Sequence, residues 1–144
     1  MRTPNQVKRD FVNQWLDKAN QDLISASTLL KGEFTSFESA AFHAQQAVEK
    51  FIKALLVRHQ VEFPKTHNIS MLKSLVEKVD SKLARQLAPM ETLTAYGVEY
   101  RYPGIYEPVS KKQGEEALGL ANQARDLILA KLESYLKEKS KKDS

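Results

Sequence analysis

The sequence predicts an all-α fold, an up-and-down bundle of four to five helices, on three observations. Apolar residues recur at three- and four-residue steps along most of the chain. Only five glycines and five prolines interrupt 144 residues, and they cluster at a few places. Nowhere do apolar and polar residues alternate as a half-buried strand requires.

The first helix is expected from Pro4, a good first-turn residue after Thr3, to Leu30. Val12, Trp15, Leu16, Ala19, Leu23, Ala26 and Leu30 fall on one stripe, and Lys31-Gly32 supplies a cation and a glycine at the end. A second helix should start near Ser36 and run to about Gln60. Its apolar face, from Phe37 through Ala40, Ala41, Ala44, Ala47, Val48, Phe51, Ile52, Leu55 and Leu56, is wider than a surface helix needs, so it is expected at the centre. Residues 61–69 form a connection fixed by Pro64. A short helix over about Ser70–Val79 turns Leu72, Leu75, Val76 and Val79 inward. Asp80-Ser81 opens a further segment, which Pro89 kinks or restarts and which continues to about Arg101. After an irregular loop holding Pro103, Gly104 and Pro108, the last helix spans about Ser110–Lys137. It buries Ala117, Ala121, Ala124, Ile128, Leu132 and Tyr135.

Size and composition fit one domain, residues 1–138, with a basic tail at 139–144. Lys137, Lys139, Lys141 and Lys142 against Glu138 and Asp143 carry +2 of the net charge of +4. The body is therefore close to neutral, unlike a dedicated non-specific nucleic-acid binder. The lysines read as a frayed helix end, where cations suit the helix dipole. Cysteine is absent, which excludes disulfides, thiol nucleophiles and thiolate metal sites. Three scattered histidines lack metal-ligand spacing, so no metal and no cofactor is implied. No apolar run approaches the roughly 20 residues of a membrane span, and the polar N-terminus is no signal peptide, so a cytoplasmic location is expected.

Chemistry concentrates in two places. Residues 96–106, YGVEYRYPGIY, hold four of the five tyrosines around Arg101. An arginine flanked by aromatic rings can grip a phosphate or carboxylate while Tyr100 and Tyr102 stack or line the cleft. On a continuing helix, Gly97 would clear space beside Arg101, four residues on, and Tyr96 would pair with Tyr100 on an adjacent face. The alternative is a structural arginine with tyrosines filling the end of the bundle. The second place is the middle of the second helix, with His43, Gln45, Gln46, Glu49, Lys50 and Lys53. Gln46, Glu49, Lys50 and Lys53 make one polar strip, either a solvated face with a Glu49–Lys53 pair or the wall of a groove. His67, in PKTHNI, is an isolated histidine that could cap the following helix or contact the bundle.

Four stretches in order, WLDKANQDLISASTLL from Trp15, AAFHAQQAVEKFIKALL from Ala40, PKTHNISMLKSLVEKV from Pro64 and YGVEYRYPG from Tyr96, resemble the HEPN domain (higher eukaryotes and prokaryotes nucleotide-binding). The resemblance covers most of the chain. It implies an all-α bundle, commonly a homodimer, often occurring beside a separate minimal nucleotidyltransferase in toxin–antitoxin pairs. Many members are ribonucleases with an R-x4-6-H motif shared across the dimer cleft. Arg101 fits the arginine, but Tyr106, Glu107 and Pro108 stand where the histidine is required. The expectation is therefore a non-catalytic HEPN protein that binds a nucleotide or RNA through Arg101, Tyr100, Tyr102, Gln46, Glu49 and Lys53. Two alternatives remain open. One is a metal-independent ribonuclease in which Arg101 and Glu107 are catalytic. The other is a pure dimerisation or interaction module built on the tyrosines.

Overall fold

The computed structural model of the chain describes residues 1–97 and 107–142, with side chains to Glu138. These residues form helices α1 (Pro4–Leu30), α2 (Phe37–Arg58), α3 (Ile69–Glu77), α4 (Ser81–Gln86) and α5 (Lys111–Lys142), with a 3₁₀ segment (Ala88–Tyr96) before α5. All regular structure among the described residues is helical.

Each helix start carries a side-chain cap. Thr3 accepts from the Gln6 amide at 3.1 Å while the Gln6 side chain accepts from the Thr3 amide at 2.7 Å, a reciprocal box ahead of Pro4. Ser36 caps α2, Asn68 caps α3 and Asp80 caps α4 through their side-chain oxygens. Ser110 and Gln113 repeat the reciprocal arrangement at α5, at 3.1 and 2.9 Å. α2 ends with the Val61 amide bonding Leu56 O at 2.9 Å and the Gln60 amide bonding Val57 O at 3.0 Å. This closure places Gln60 at φ 56°, a left-handed conformation usually given to glycine.

α2 is the central helix, as its broad apolar face implies. It packs most extensively on α1, then on α5, and also against α3 and the 3₁₀ segment. Ala40, Ala41, Ala44, Ala47 and Ala54 are fully buried, so small side chains let the neighbouring backbones approach. Gly114 has the same role for α5: a Cβ there would stand 2.8 Å from Cδ2 of buried Leu30. The core runs from Val12 and Leu16 on α1 through Phe51, Ile52 and Leu55 on α2 to Ile128 and Leu132 on α5. Leu83, Leu87, Met90 and Leu93 close it from below.

Three expectations change. Of the two forms expected at Pro89, a kink or a restart, the structure has the restart. α4 stops at Gln86, and a 3₁₀ segment of nine residues, long for that geometry, starts at Ala88 just before Pro89. That segment closes at Tyr96 with Gly97 as its cap, so Gly97 ends the segment instead of lying within a longer helix. Val79 is not inward but 37% exposed, because α3 ends at Glu77 and the next turn swings away. The α5 backbone continues to Lys142, beyond the expected end at Lys137.

Candidate functional site

The polar strip on α2 is half-buried, and its Glu49 is buried outright together with neighbouring Gln45. Gln45 and Glu49 are 0% and 2% exposed in a helix otherwise lined with core residues. A buried carboxylate is tolerated only with close partners, and Glu49 has four. Its Oε2 accepts from Gln45 Nε2 at 2.8 Å, from Gln46 Nε2 at 3.3 Å and from His67 Nδ1 at 3.0 Å. Its Oε1 accepts from Lys53 Nζ at 3.0 Å. Gln45 is pinned further, donating to the His67 carbonyl at 2.9 Å and accepting from Gln46 at 2.7 Å. The network ties the middle of α2 to the connection before α3.

The 3₁₀ segment is fastened to the same place. Thr94 Oγ1 accepts from the Ile69 amide at 3.2 Å, which brings the end of the segment beside the start of α3. Gly97 then lies against the network: a Cβ there would be 3.2 Å from Gln45 Nε2 and 3.2 Å from Thr94 O. Gly97 has φ −72°, so glycine is required for this close approach and not for backbone conformation. Because three hydrogen bonds fix the Gln45 amide, it has little freedom to give way.

Several sequence-predicted residues therefore meet here, namely Gln46, Glu49 and Lys53. Arg101, Tyr100 and Tyr102 lie outside the described residues, and with Tyr100 goes its expected pairing with Tyr96. Glu107 is exposed. Lys50, placed by spacing in the same strip, turns instead to α1. Its Nζ is 2.5 Å from Oδ2 of Asp22, while His43 Nδ1 is 2.8 Å from Oδ1 of the same carboxylate. Asp22 is 8% exposed and forms a second hydrogen-bonded group beside the first.

His67 is the member that sequence spacing underrated. Its side chain is 68% exposed while its Nδ1 is held by buried Glu49. Since a carboxylate only accepts, Nδ1 carries the hydrogen and Nε2 is left for an external partner. A loop histidine meets a helix carboxylate here, a pairing that no sequence period encodes. Lys53 makes a further bridge: its ammonium lies 5.4 Å from the Trp15 ring centroid and 5.8 Å from that of Phe63. The arrangement offers one cation, two amides and an oriented imidazole around a fixed carboxylate. Such a set suits hydrogen bonding to a polar ligand, and proton transfer at His67. Among the described residues no three metal-ligating side chains converge, and no helix is long and apolar enough to cross a membrane.

A family model for the HEPN domain matches residues 12–133. The chain is also similar to the Methanocaldococcus jannaschii protein "Putative toxin MJ1304", with 27% identity over 143 residues covering 90% of each chain. No solved structure matches it significantly. The matched span runs from the first core residue of α1 to the last turns of α5, and includes both hydrogen-bonded groups on α2.

Proposed function

The chain belongs to the HEPN domain family, and on that premise we propose that it binds a nucleotide or an RNA end without cleaving it, as one member of a toxin–antitoxin-like pair. The observation that carries this reading is the network that Gln45, Gln46, Lys53 and His67 form around buried Glu49, with Gly97 packed on it. Four residues beyond Gly97 stands Arg101, between Tyr100 and Tyr102. In this reading Arg101 contacts phosphate, the tyrosines stack or line the cleft, and Gln46, Glu49 and Lys53 form its polar wall. The protein acts in the cytoplasm as a homodimer beside a separate minimal nucleotidyltransferase. The name of the archaeal relative supports the toxin–antitoxin context.

Calorimetry with ATP, GTP and a short RNA tests the site. Wild type binds at least one of them, and Arg101→Ala weakens that binding at least tenfold. Equal affinity in both proteins removes Arg101 from the site.

One observation favours a second reading, a metal-independent ribonuclease. The R-x4-6-H spacing has no histidine after Arg101, but His67 is oriented by Glu49 beside Gly97 and has Nε2 available. His67 would take the proton of a ribose 2′-hydroxyl as that oxygen attacks the adjacent phosphorus. The 5′-oxygen would leave with a proton from solvent, giving a 2′,3′-cyclic phosphate. Cleavage of total RNA that disappears in His67→Gln selects this reading. Cleavage that disappears in Glu107→Gln but persists in His67→Gln would return the role to Glu107. No cleavage by wild type leaves the binding reading.

A further inference from the structure

A second charged region lies at the other end of α2, where three cations from two helices gather on one ring of a third. Arg58 at the end of α2 places its guanidinium 4.2 Å from the Tyr135 ring centroid. Lys8 and Arg9 of α1 lie 5.4 and 5.8 Å from the same centroid. Arg9 and Tyr135 are buried, and Lys8 and Arg58 are half-buried. Carboxylates are close by, but several are engaged elsewhere. Asp10 pairs with Arg2, Asp80 with Lys131, and Glu133 with Lys137. Glu62 lines the adjoining cleft, and Arg9 and Glu138 each have an interaction of their own. Lys8 and Arg58 have no ion pair among the described residues. Burial, then Arg58, then Arg9, all lower the Lys8 pKa, so each contribution opposes its charge. His59, next along, is lowered by burial and by Arg58 as well, with Asp80 acting the other way.

Like charges packed together on a protein surface cost folding energy. A bound anion would remove that cost. Lys8 also forms one wall of an open cleft of about 930 Å³ between the start of α1 and the α2–α3 connection. Phe11, 52% exposed, and Phe63 face this cleft, with Val7, Val57 and Val61 between them. Cations beside aromatic rings, here Lys8 and Arg58 with exposed Phe11 and half-buried Phe63, form the arrangement that holds single strands, with phosphates on the cations and bases on the rings.

We propose that this cleft binds single-stranded nucleic acid, with Lys8 inside it and Arg58, next to the lining residue Val57, on backbone phosphates, and with Phe11 and Phe63 against bases. The inference rests on the reading that the ligand is a nucleotide or RNA, and it adds a contact region about 20 Å along α2 from Gln45. It explains why a chain with a nearly neutral body leaves two cations uncompensated at one pole. The two regions adjoin at Lys53, whose ammonium lies 5.8 Å from the Phe63 ring centroid, so a strand of several nucleotides makes more contacts than a free nucleotide.

The test is fluorescence anisotropy with a labelled short oligouridylate over a salt series, using wild type, Lys8→Met/Arg58→Met, Phe11→Ser and Arg101→Ala. Methionine keeps an aliphatic stem over Tyr135, and Phe11 is exposed, so folding is preserved and is checked by thermal melting. The double variant should bind at least tenfold more weakly, with the slope of log K against log salt reduced by about 1.4, at about 0.7 per phosphate contact on a single strand. Phe11→Ser should weaken binding about tenfold, as loss of one stacked base does. Unchanged affinity and slope in the double variant overturn the proposal. So does wild type that ignores the oligouridylate but binds an oligoglutamate peptide through Lys8 and Arg58, which would make the cleft a docking site for an acidic protein segment. ATP titrated in parallel separates the two regions. Loss of ATP binding in Arg101→Ala with an unchanged double variant supports the first site alone, and the reverse pattern supports the cleft alone.

Discussion

The two polar regions of α2 settle their charges in opposite ways. In the middle of the helix, buried Glu49 has four hydrogen-bond partners and Asp22 of α1 has two. At its C-terminal end, Lys8 and Arg58 are half-buried beside Arg9 and have no ion pair among the described residues. A carboxylate with four partners fixes the geometry of a wall and needs no counter-charge from a newcomer. Two neighbouring cations without an ion pair, Lys8 and Arg58, cost stability and are relieved by an anion. The first region therefore has the character of a rigid scaffold beneath Gly97, and the second that of a surface awaiting a counter-charge.

If this contrast holds, substitutions in the two regions should move stability in opposite directions. The largest loss is expected from Glu49→Ala, which strands Lys53, Gln45 and the His67 contact. Breaking a buried charged pair costs about 3–5 kcal/mol, and chemical denaturation should report a loss of that order. Glu49→Gln, which keeps the shape and some hydrogen bonds, should cost clearly less. If the two variants are equally mild, the network is not structural.

Asp22→Asn should cost about 1–3 kcal/mol, because it weakens the bonds to both Lys50 and His43 at a site that is 8% exposed. Gly97→Ala should cost on the order of 1–2 kcal/mol by pressing on Gln45 Nε2, 3.2 Å from the added carbon. Combined with Gln45→Ala, its cost should largely disappear, and simple additivity would show that Gly97 does not act through Gln45.

Lys8→Met should raise stability, opposite in sign to every change above. The sign follows from linkage. The folded-state pKa of Lys8 lies below its ordinary 10.5, so between the two values the unfolded chain holds more protons. Stability of the wild type should then rise as pH climbs through that window, and the rise should flatten in Lys8→Met. A loss of stability in Lys8→Met would mean that the cluster is a packing feature and not a repulsive one. The smallest effect is Gln60→Gly, a gain of about 0.5–1 kcal/mol by removing a side chain from the left-handed position at φ 56°.

The helices were legible because their signals are local. Thr3 with Pro4, Ser36 and Asp80-Ser81 mark starts that the structure uses, and the apolar steps on α1, α2 and α5 name residues that are buried. Pro89 announced a break but not its form, since a 3₁₀ segment has the same residues as an α-helix with a different hydrogen-bond step. The strip on α2 was legible as a strip. The burial of Glu49 within it was not, because that depends on Thr94, Gly97 and the His67 connection folding over it. Lys50 left the strip for Asp22, a pairing across helices that spacing along α2 cannot reveal. The cation cluster was invisible for the same reason: Lys8, Arg58 and Tyr135 come from three helices and meet only in three dimensions.

The proposed function stands or falls on whether the segment after Gly97 forms a ligand site on the Glu49 network. The deciding measurement is calorimetric titration of ATP, GTP and a short RNA into wild type, Arg101→Ala and Gln46→Ala. Wild type should bind at least one of the three ligands. Arg101→Ala should weaken that binding at least tenfold and Gln46→Ala should weaken it less, with both variants still folded. Identical binding in all three proteins, or none in any, would contradict such a site.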